Sequence, residues 1–266
     1  ESVAKKYGAP RRTELVAIED APAAPQDLFI EDYNLRIFRT AHGYLKKLPM
    51  TSLRTSPDLK TKDDDAIVQE MDGRNRSDIL FFTSECNVYK MKLHEIRDTR
   101  PSDLGEFMPN LLSMEEGERV LYVHLTDEYA GDILIAFESG RVARIAVKAY
   151  ETKTNRRKLV KAFSDHAPAV GFHFLPEGAS EDCFLQGSSR KGLVVSSDLV
   201  PRKNSRDTRG VLVMQPKKNS RLLAFLPVSR AGLEEVSRYR IRSIPAAGCQ
   251  VREQTVQHRQ LGLEEI

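Results

Sequence analysis

Four stretches of this chain share one plan, and a plan repeated at their spacing leaves few folds open. "LRIFRTAHGYLKKLP" begins at Leu35, "ILFFTSECNVYKMKL" at Ile79, "ILIAFESGRVARIAV" at Ile133 and "CFLQGSSRKGLVVSS" at Cys183, so the starts lie 44, 54 and 50 residues apart. Each is a β-rich run, a turn and a second β-rich run, and three of the four carry basic residues in the return strand. The turns use His42-Gly43, Cys86-Asn87, Ser139-Gly140 and Arg190-Lys191-Gly192. Gly43 can take the positive φ that a tight turn needs. Alternation in the first run sets Leu35, Ile37 and Arg39 on one face and Arg36, Phe38 and Thr40 on the other. A second phrase, strand–polar turn–strand, recurs as "LLSMEEGERVLYV" from Leu111 and "VLVMQPKKNSRLLAF" from Val211. A lone hairpin cannot bury its apolar face, so units repeated every 40 to 55 residues or so stack side by side in a radial array. The expected fold is all-β, a propeller-like ring of about five hairpin-based units. Four are clear, and "RLLAFLPVSR" (221–230) with "YRIRSIPAAGCQV" (239–251) supplies the fifth.

The ends differ from the repeats. "ESVAKKY" predicts a short helix ending at Gly8, with Pro10 preventing its continuation, and "EDAPAAP" (19–25) is a linker by composition. Residues 1–26 therefore read as a linker or helix and 27–266 as the β domain. The first residue is not Met, and the chain reads as a fragment of a longer protein. Pro57 and Gly73 bracket an acidic insert in which residues 58–72 can hold some helix. "VREQTVQHRQLGLEEI" (251–266) fits either a helix or a frayed tail.

Several function classes drop out. Cys86, Cys183 and Cys249 are far apart, odd in number and without a C-x-x-C, which argues for a reducing compartment and against a disulfide frame or zinc site. No run approaches the roughly 18 apolar residues of a membrane span, and the N-terminus lacks a signal-peptide pattern, so a cytoplasmic location and no membrane partner are expected. There is no nucleophile elbow, phosphate loop or H-E-x-x-H, so a stand-alone enzyme ranks last and no catalytic or metal-binding residue is assigned. The net charge of +3 hides an asymmetry: residues 55–138 carry 9 Lys/Arg against 19 Asp/Glu, and residues 139–221 carry 17 against 7. One half of the chain is net −10 and the next net +10, and basic faces commonly meet polyanions.

At the level of phrases the chain resembles a known family. "KYGAPRRTEL" (6–15) resembles the segment leaving the catalytic core of the A subunit of bacterial type IIA topoisomerases, gyrase and topoisomerase IV. "HGYLKKLP" (42–49), "DILFFTSECNVYKMKLHEI" (78–96) and "NLLSMEEGERVLYV" (110–123) resemble successive blades of that subunit's C-terminal domain. "SRDTRGVLVMQPKKNSRLL" (205–223) resembles a later blade more weakly, and the last 40 residues match little. The resemblance implies a β-pinwheel with a basic perimeter that binds and bends duplex DNA without sequence preference. The partners it implies are double-stranded DNA, the topoisomerase catalytic core that precedes the domain in the same polypeptide, and an ATPase B subunit in an A2B2 holoenzyme in the bacterial nucleoid. It implies no cofactor in this domain, with ATP and Mg2+ used elsewhere in the holoenzyme.

DNA binding of this kind rests on Lys and Arg contacts to phosphate. On the first hairpin the candidates are Arg39, Lys46, Lys47 and Arg54. On the basic half they are Arg141, Arg144, Lys148, Lys153, Arg156, Arg157, Lys158, Lys161, Arg190, Lys191, Arg202, Lys203, Arg206, Arg209, Lys217, Lys218 and Arg221. "KTNRRK" (153–158) and "PRKNSRDTR" (201–209) fit loops between blades. Trp is absent and aromatics are few, which disfavours stacking on single strands. Gyrase A subunits carry a glutamine-arginine-arginine-glycine-glycine-type basic box after the first hairpin. "SLRTSPDLKTKDDDAIVQEM" (52–71) holds no such box and offers Asp63, Asp64 and Asp65, which repel phosphate. The resemblance therefore tilts towards topoisomerase IV. A gyrase A domain is the alternative, and a protein-interaction propeller is a third reading.

Overall fold

The computed structural model describes residues 3, 7–8, 30–55, 58–152, 157–215 and 220–251. The chain divides into two compact units, Glu1–Glu31 and Asp32–Ile266. In the first, Val3 and Tyr7 are helical and exposed.

The second unit runs β1 (Asn34–Thr40), β2 (Tyr44–Pro49), α1 (Met50–Thr55), β3 (Ile67–Arg74), β4 (Asp78–Thr83) and β5 (Val88–Lys92). It continues through β6 (Glu106–Phe107), α2 (Met108–Leu112), β7 (Val120–Thr126), β8 (Asp132–Phe137), β9 (Arg141–Ala146), β10 (Lys158–Leu159) and β11 (Ala169–Leu175). The last elements are β12 (Asp182–Gly187), β13 (Lys191–Ser196), β14 (Arg202–Lys203), β15 (Val211–Leu212), β16 (Leu222–Pro227), α3 (Val228–Ala231), α4 (Val236–Tyr239) and β17 (Cys249–Gln250).

The four repeated phrases are the hairpins β1–β2, β4–β5, β8–β9 and β12–β13, all antiparallel. Their turns close with the same bond: the amides of Gly43, Cys86, Gly140 and Arg190 donate to the carbonyls of Thr40, Thr83, Phe137 and Gly187. Each donor residue has positive φ, between 56° and 88°. Glycine relieves the strain at two of the turns, while Cys86 and Arg190 carry it.

Each hairpin gains a long third strand on the side of its first strand, giving the pairs β3·β1, β7·β4, β11·β8 and β16·β12. A register shift interrupts all four pairs near the end next to the hairpin turn. A short edge strand pairs on the other side, and it arrives late in the chain. β6, β10 and β14 each follow the hairpin of the next sheet, yet each returns to the sheet before it. The sheet orders are β3-β1-β2-β6, β10-β5-β4-β7, β11-β8-β9-β14 with β15 also on β9, and β16-β12-β13-β17. These four sheets stand in a ring, as blades, and consecutive blades are stitched together by the returning strands.

The core lies between blades. Leu35, Ile37 and Leu45 pack with Ile79, Phe81 and Val123 between the first and second. Leu80, Phe82 and Val88 pack with Ile133, Ile135 and Ile145 between the second and third. Leu134, Ala136 and Val142 pack with Leu185, Leu193 and Val195 between the third and fourth. The strands β4 and β8 therefore bury every residue and read as continuous apolar runs, because both faces meet a neighbour. Fully burying each such Ile or Phe contributes about 1.5–3 kcal/mol. On the far face of the fourth blade, Phe184 and Val194 are covered by Ala231 of α3 and Tyr239 of α4.

Two expectations are corrected. Among the described residues there are four blades, not five: residues 221–230 and 239–251 provide β16 and β17, which complete the fourth. A hairpin needs partners on both edges, and these come from later sequence that resembles a further unit. Residues 58–72 hold no helix; Ile67–Arg74 is β3, and the helix α1 precedes the acidic stretch. Turn chemistry decides this, since Asp65 Oδ1 accepts from the His42 and Ala66 amides and seats the loop against the first hairpin turn.

Candidate nucleic-acid interface

The basic residues fall into groups that charge counting cannot separate. Lys46 and Lys47, candidates for phosphate contact in the sequence, are buried by the fold, and Arg39 is half-buried. Lys46 Nζ donates to the Lys60 and Pro101 carbonyls, the latter at 3.0 Å, and burial lowers its pKa. Lys47 Nζ donates to Asn75 Oδ1 at 2.7 Å and the Ile96 carbonyl at 2.8 Å, and lies 3.0 Å from Asp98. Arg39 bridges the first two blades through Gln69 and the Val120 carbonyl, both at 3.2 Å, and burial pushes its pKa down to about 10. Lys46 and Lys47 are closed off from a phosphate, and Arg39 is committed to the contact between blades.

Lys47 belongs to a series. The same place on the second strand of the next two blades is held by Lys90 and Arg144, opposite Leu80 and Leu134 as Lys47 is opposite Ile37. Lys90 lies 3.7 Å from Asp78, and Arg144 Nε donates to Asp132 at 2.7 Å. Asp78 and Asp132 open the first strands of their hairpins, so the second and third blades each bolt their two strands together with an ion pair, whereas Lys47 of the first blade pairs with Asp98, beyond β5. At this one place the basic residue of the return strand serves the fold. Arg144 is likewise committed to the fold: its side chain is 15% exposed and also donates to the Ser197 carbonyl. The fourth blade carries Val194 at this place and instead pairs Asp182 with Arg240 from beyond α4.

A further group is half-committed. Arg202 Nε donates to Asp132 at 2.6 Å and fastens β14 to the third blade, with about half of its side chain exposed. Arg141 donates to the Gly210 carbonyl at 2.9 Å. Arg157 lies 3.3 Å from Glu95, and Lys158 lies 3.1 Å from Glu115 and 3.9 Å from Glu118, with the Tyr89 ring 5.2 Å away. Tyr89 first and Glu115 second raise the pKa of Lys158. The returning strand β10 has carried these two cations onto the acidic second blade, where they are locally neutralised.

The exposed candidates are Arg54, Lys161, Arg190, Lys203, Arg209 and Arg221, with Lys148 exposed but 2.6 Å from Glu151, and Lys191 and Arg206 half-buried. Apart from Arg54 they lie on the third and fourth blades and the segment leading to them. Lys153, Arg156, Lys217 and Lys218 lie outside the described residues. Sequence reasoning missed Arg230, Arg238 and Arg242, exposed on the helices and loop that cap the fourth blade. The signal was present in "SRYRIR" (237–242), where arginines alternate with the buried Tyr239 and half-buried Ile241. Asp63 and Asp64 are exposed at the first blade, as a turn beside His42.

No family model matches the chain. Over 160 residues, 58% of this chain, it is 28% identical to the DNA gyrase A subunit of Thermotoga maritima. The other relatives it aligns with are likewise named as A subunits of DNA gyrase and topoisomerase IV. The topoisomerase 4 A subunit of Streptococcus pneumoniae is 27% identical over 165 residues, 60% of this chain, and the gyrase A subunit of Streptomyces coelicolor is 24% identical over 246 residues, 87%. This chain spans 20%, 20% and 28% of those three proteins. The fold is shared with a C-terminal domain of DNA topoisomerase IV, with a TM-score of 0.65 and 21% identity over 77% of this chain and 64% of that one. The C-terminal domain of E. coli ParC gives a TM-score of 0.60 at 12% identity, over 84% of this chain and 96% of that one. The gyrase A C-terminal domain gives 0.53 at 16% identity, over 84% and 80%.

Proposed function

We propose that this domain binds duplex DNA without sequence preference and bends it for a type IIA topoisomerase, along the third and fourth blades. The observation that carries the reading is that exposed cations, Arg190, Lys203, Arg209 and Arg221, lie on or beside the third and fourth blades of a fold shared with topoisomerase C-terminal domains. Screening limits each exposed charge to a reach of about 8–10 Å, so local clusters decide the path rather than net charge. The duplex avoids the Asp63–Asp64 turn of the first blade. In the holoenzyme the domain serves the catalytic core of its own polypeptide, together with an ATPase B subunit, in the bacterial cytoplasm, with ATP and Mg2+ used elsewhere.

We further propose topoisomerase IV rather than gyrase, because residues 52–71 lack a basic box and carry three aspartates there. Chiral wrapping needs a continuous positive path, which these aspartates interrupt. The first test is duplex affinity against salt. With about five phosphate contacts, log K should fall against log salt with a slope near −4 to −5. Salt-independent affinity, or none at low salt, overturns DNA binding. For the finer reading, the reconstituted holoenzyme should relax and decatenate, and robust supercoiling of relaxed plasmid would assign it to gyrase.

A further inference from the structure

The seam between the hairpin turns of the third and fourth blades holds a cavity of about 60 Å3. It is far below the roughly 300 Å3 of a cofactor pocket, so a whole base or small-molecule cofactor does not fit. Its walls are mostly carbon, from Met214, Leu222 and Ala247, and Lys191 and Arg221 line the same cavity. Lys191 makes no ion pair among the described residues, and Arg221 makes a loose one, 3.6 Å to Glu138, with 65% of its side chain exposed.

An apolar dimple with two cations beside it suits a ligand whose own pattern is anion, small apolar edge, anion. The sugar–phosphate backbone has that pattern, with the C–H edge of a deoxyribose lying between successive phosphates. A bare anion would leave the carbon wall unused, and an apolar side chain would leave the cations unused.

We propose that this seam is a seat for one sugar of a DNA strand, with its flanking phosphates on Lys191 and Arg221. The seat rests on the duplex-binding reading and deepens it: general electrostatics lets a duplex slide over the surface, whereas a seat fixes where the strand crosses from one blade to the next. The backbone around it is anchored to hold that shape. The Gly140 carbonyl accepts the Val213 and Met214 amides, and Ser188 and Arg221 exchange bonds across the seam, the Ser188 amide to the Arg221 carbonyl at 2.8 Å and the Arg221 amide to Ser188 Oγ at 3.1 Å.

The test separates shape from charge. Ala247 is exposed, so Ala247→Leu fills the dimple without altering charge or the core, and Ser189→Leu enters from another wall. Anisotropy titrations would use a fluorescent duplex of about 30 base pairs and, separately, inorganic polyphosphate, which has the charge but no sugar. Filling the dimple should weaken duplex binding at least 5-fold and leave polyphosphate binding within 2-fold. Lys191→Gln with Arg221→Gln should weaken both ligands and flatten the salt slope by about 2. Wild-type duplex affinity in both filled variants, with melting temperatures unchanged, overturns the seat while the duplex-binding reading stands. Equal loss for duplex and polyphosphate reduces it to an anion site and overturns the sugar. A wild-type chain that binds no duplex overturns the reading itself.

Discussion

A buried ammonium is tolerated only when acceptors replace its water, and Lys47 has three: Asn75 Oδ1, the Ile96 carbonyl and Asp98. Removing such a charge strands its partners. Lys47→Met should therefore cost about 3–5 kcal/mol in urea denaturation, while the fraction still folded binds duplex as wild type does; lost affinity in a folded variant would return Lys47 to the DNA surface. The lysine's place was not legible in "YLKKLP". Strand alternation puts one of two adjacent lysines outside, yet both are inside, because residues 60 and 101 cover the face of Lys46 while Lys47 lies on the opposite face against Ile96. His124 poses the opposite problem. It is buried on β7 with its ring 4.4 Å from that of Phe174, and burial lowers its pKa to about 4 from an ordinary 6.5. Between those values the unfolded chain takes up a proton that the folded chain refuses. Stability is thus full above pH 6.5 and falls as pH drops towards 4, by roughly 3 kcal/mol from this group. His124→Phe should remove that part of the slope in melting curves across the interval, and an unchanged slope would place the proton elsewhere.

The hairpins were legible because alternation and turn residues are local signals. The edge strands were not: β6, β10, β14, β15 and β17 have two residues each and no periodicity. What holds them is side-chain chemistry and close approach. Glu118 is buried beside β10, where it accepts from Thr83, Asn87 and Tyr89 and faces Lys158. Burial opposes its charge, but those hydrogen bonds and Lys158 outweigh it, so its pKa lies below the ordinary value. Glu118→Ala should cost about 2 kcal/mol or more by leaving those donors unmet. It should also speed amide exchange at Lys90, whose amide donates to the Arg157 carbonyl at 2.8 Å; protection unchanged at Lys90 would show that β10 is held by other means. At β15 the approach itself is the constraint. Gly210 has φ +67°, and a Cβ there would collide with the Val142 carbonyl. Gly210→Ala should cost more than about 1 kcal/mol, read as a lower urea midpoint at unchanged m-value. The glycine was visible in "TRGVLV", but only the fold supplies the backbone it must clear.

On the scale of the molecule, the repeat spacing announced a ring, and the split of charge announced two unlike halves. It did not announce that returning strands would mix them, setting Arg157 and Lys158 on the acidic second blade. The same returns make the blades mutually dependent. A chain ending at residue 181 would lose the fourth blade and also β14 and β15 of the third. Exchange along β9 (Arg141–Ala146) should then accelerate as much as if the third blade had been cut directly, and retained protection there would mean the blades are separable. The order of strands has one more consequence, in time. As the chain leaves the ribosome, the first hairpin is finished at Pro49, but its edge strand ends only at Phe107, after β4 and β5 have emerged. Each of the first three blades waits with one bare edge until its successor's hairpin has been made, so folding during synthesis trails translation by a blade.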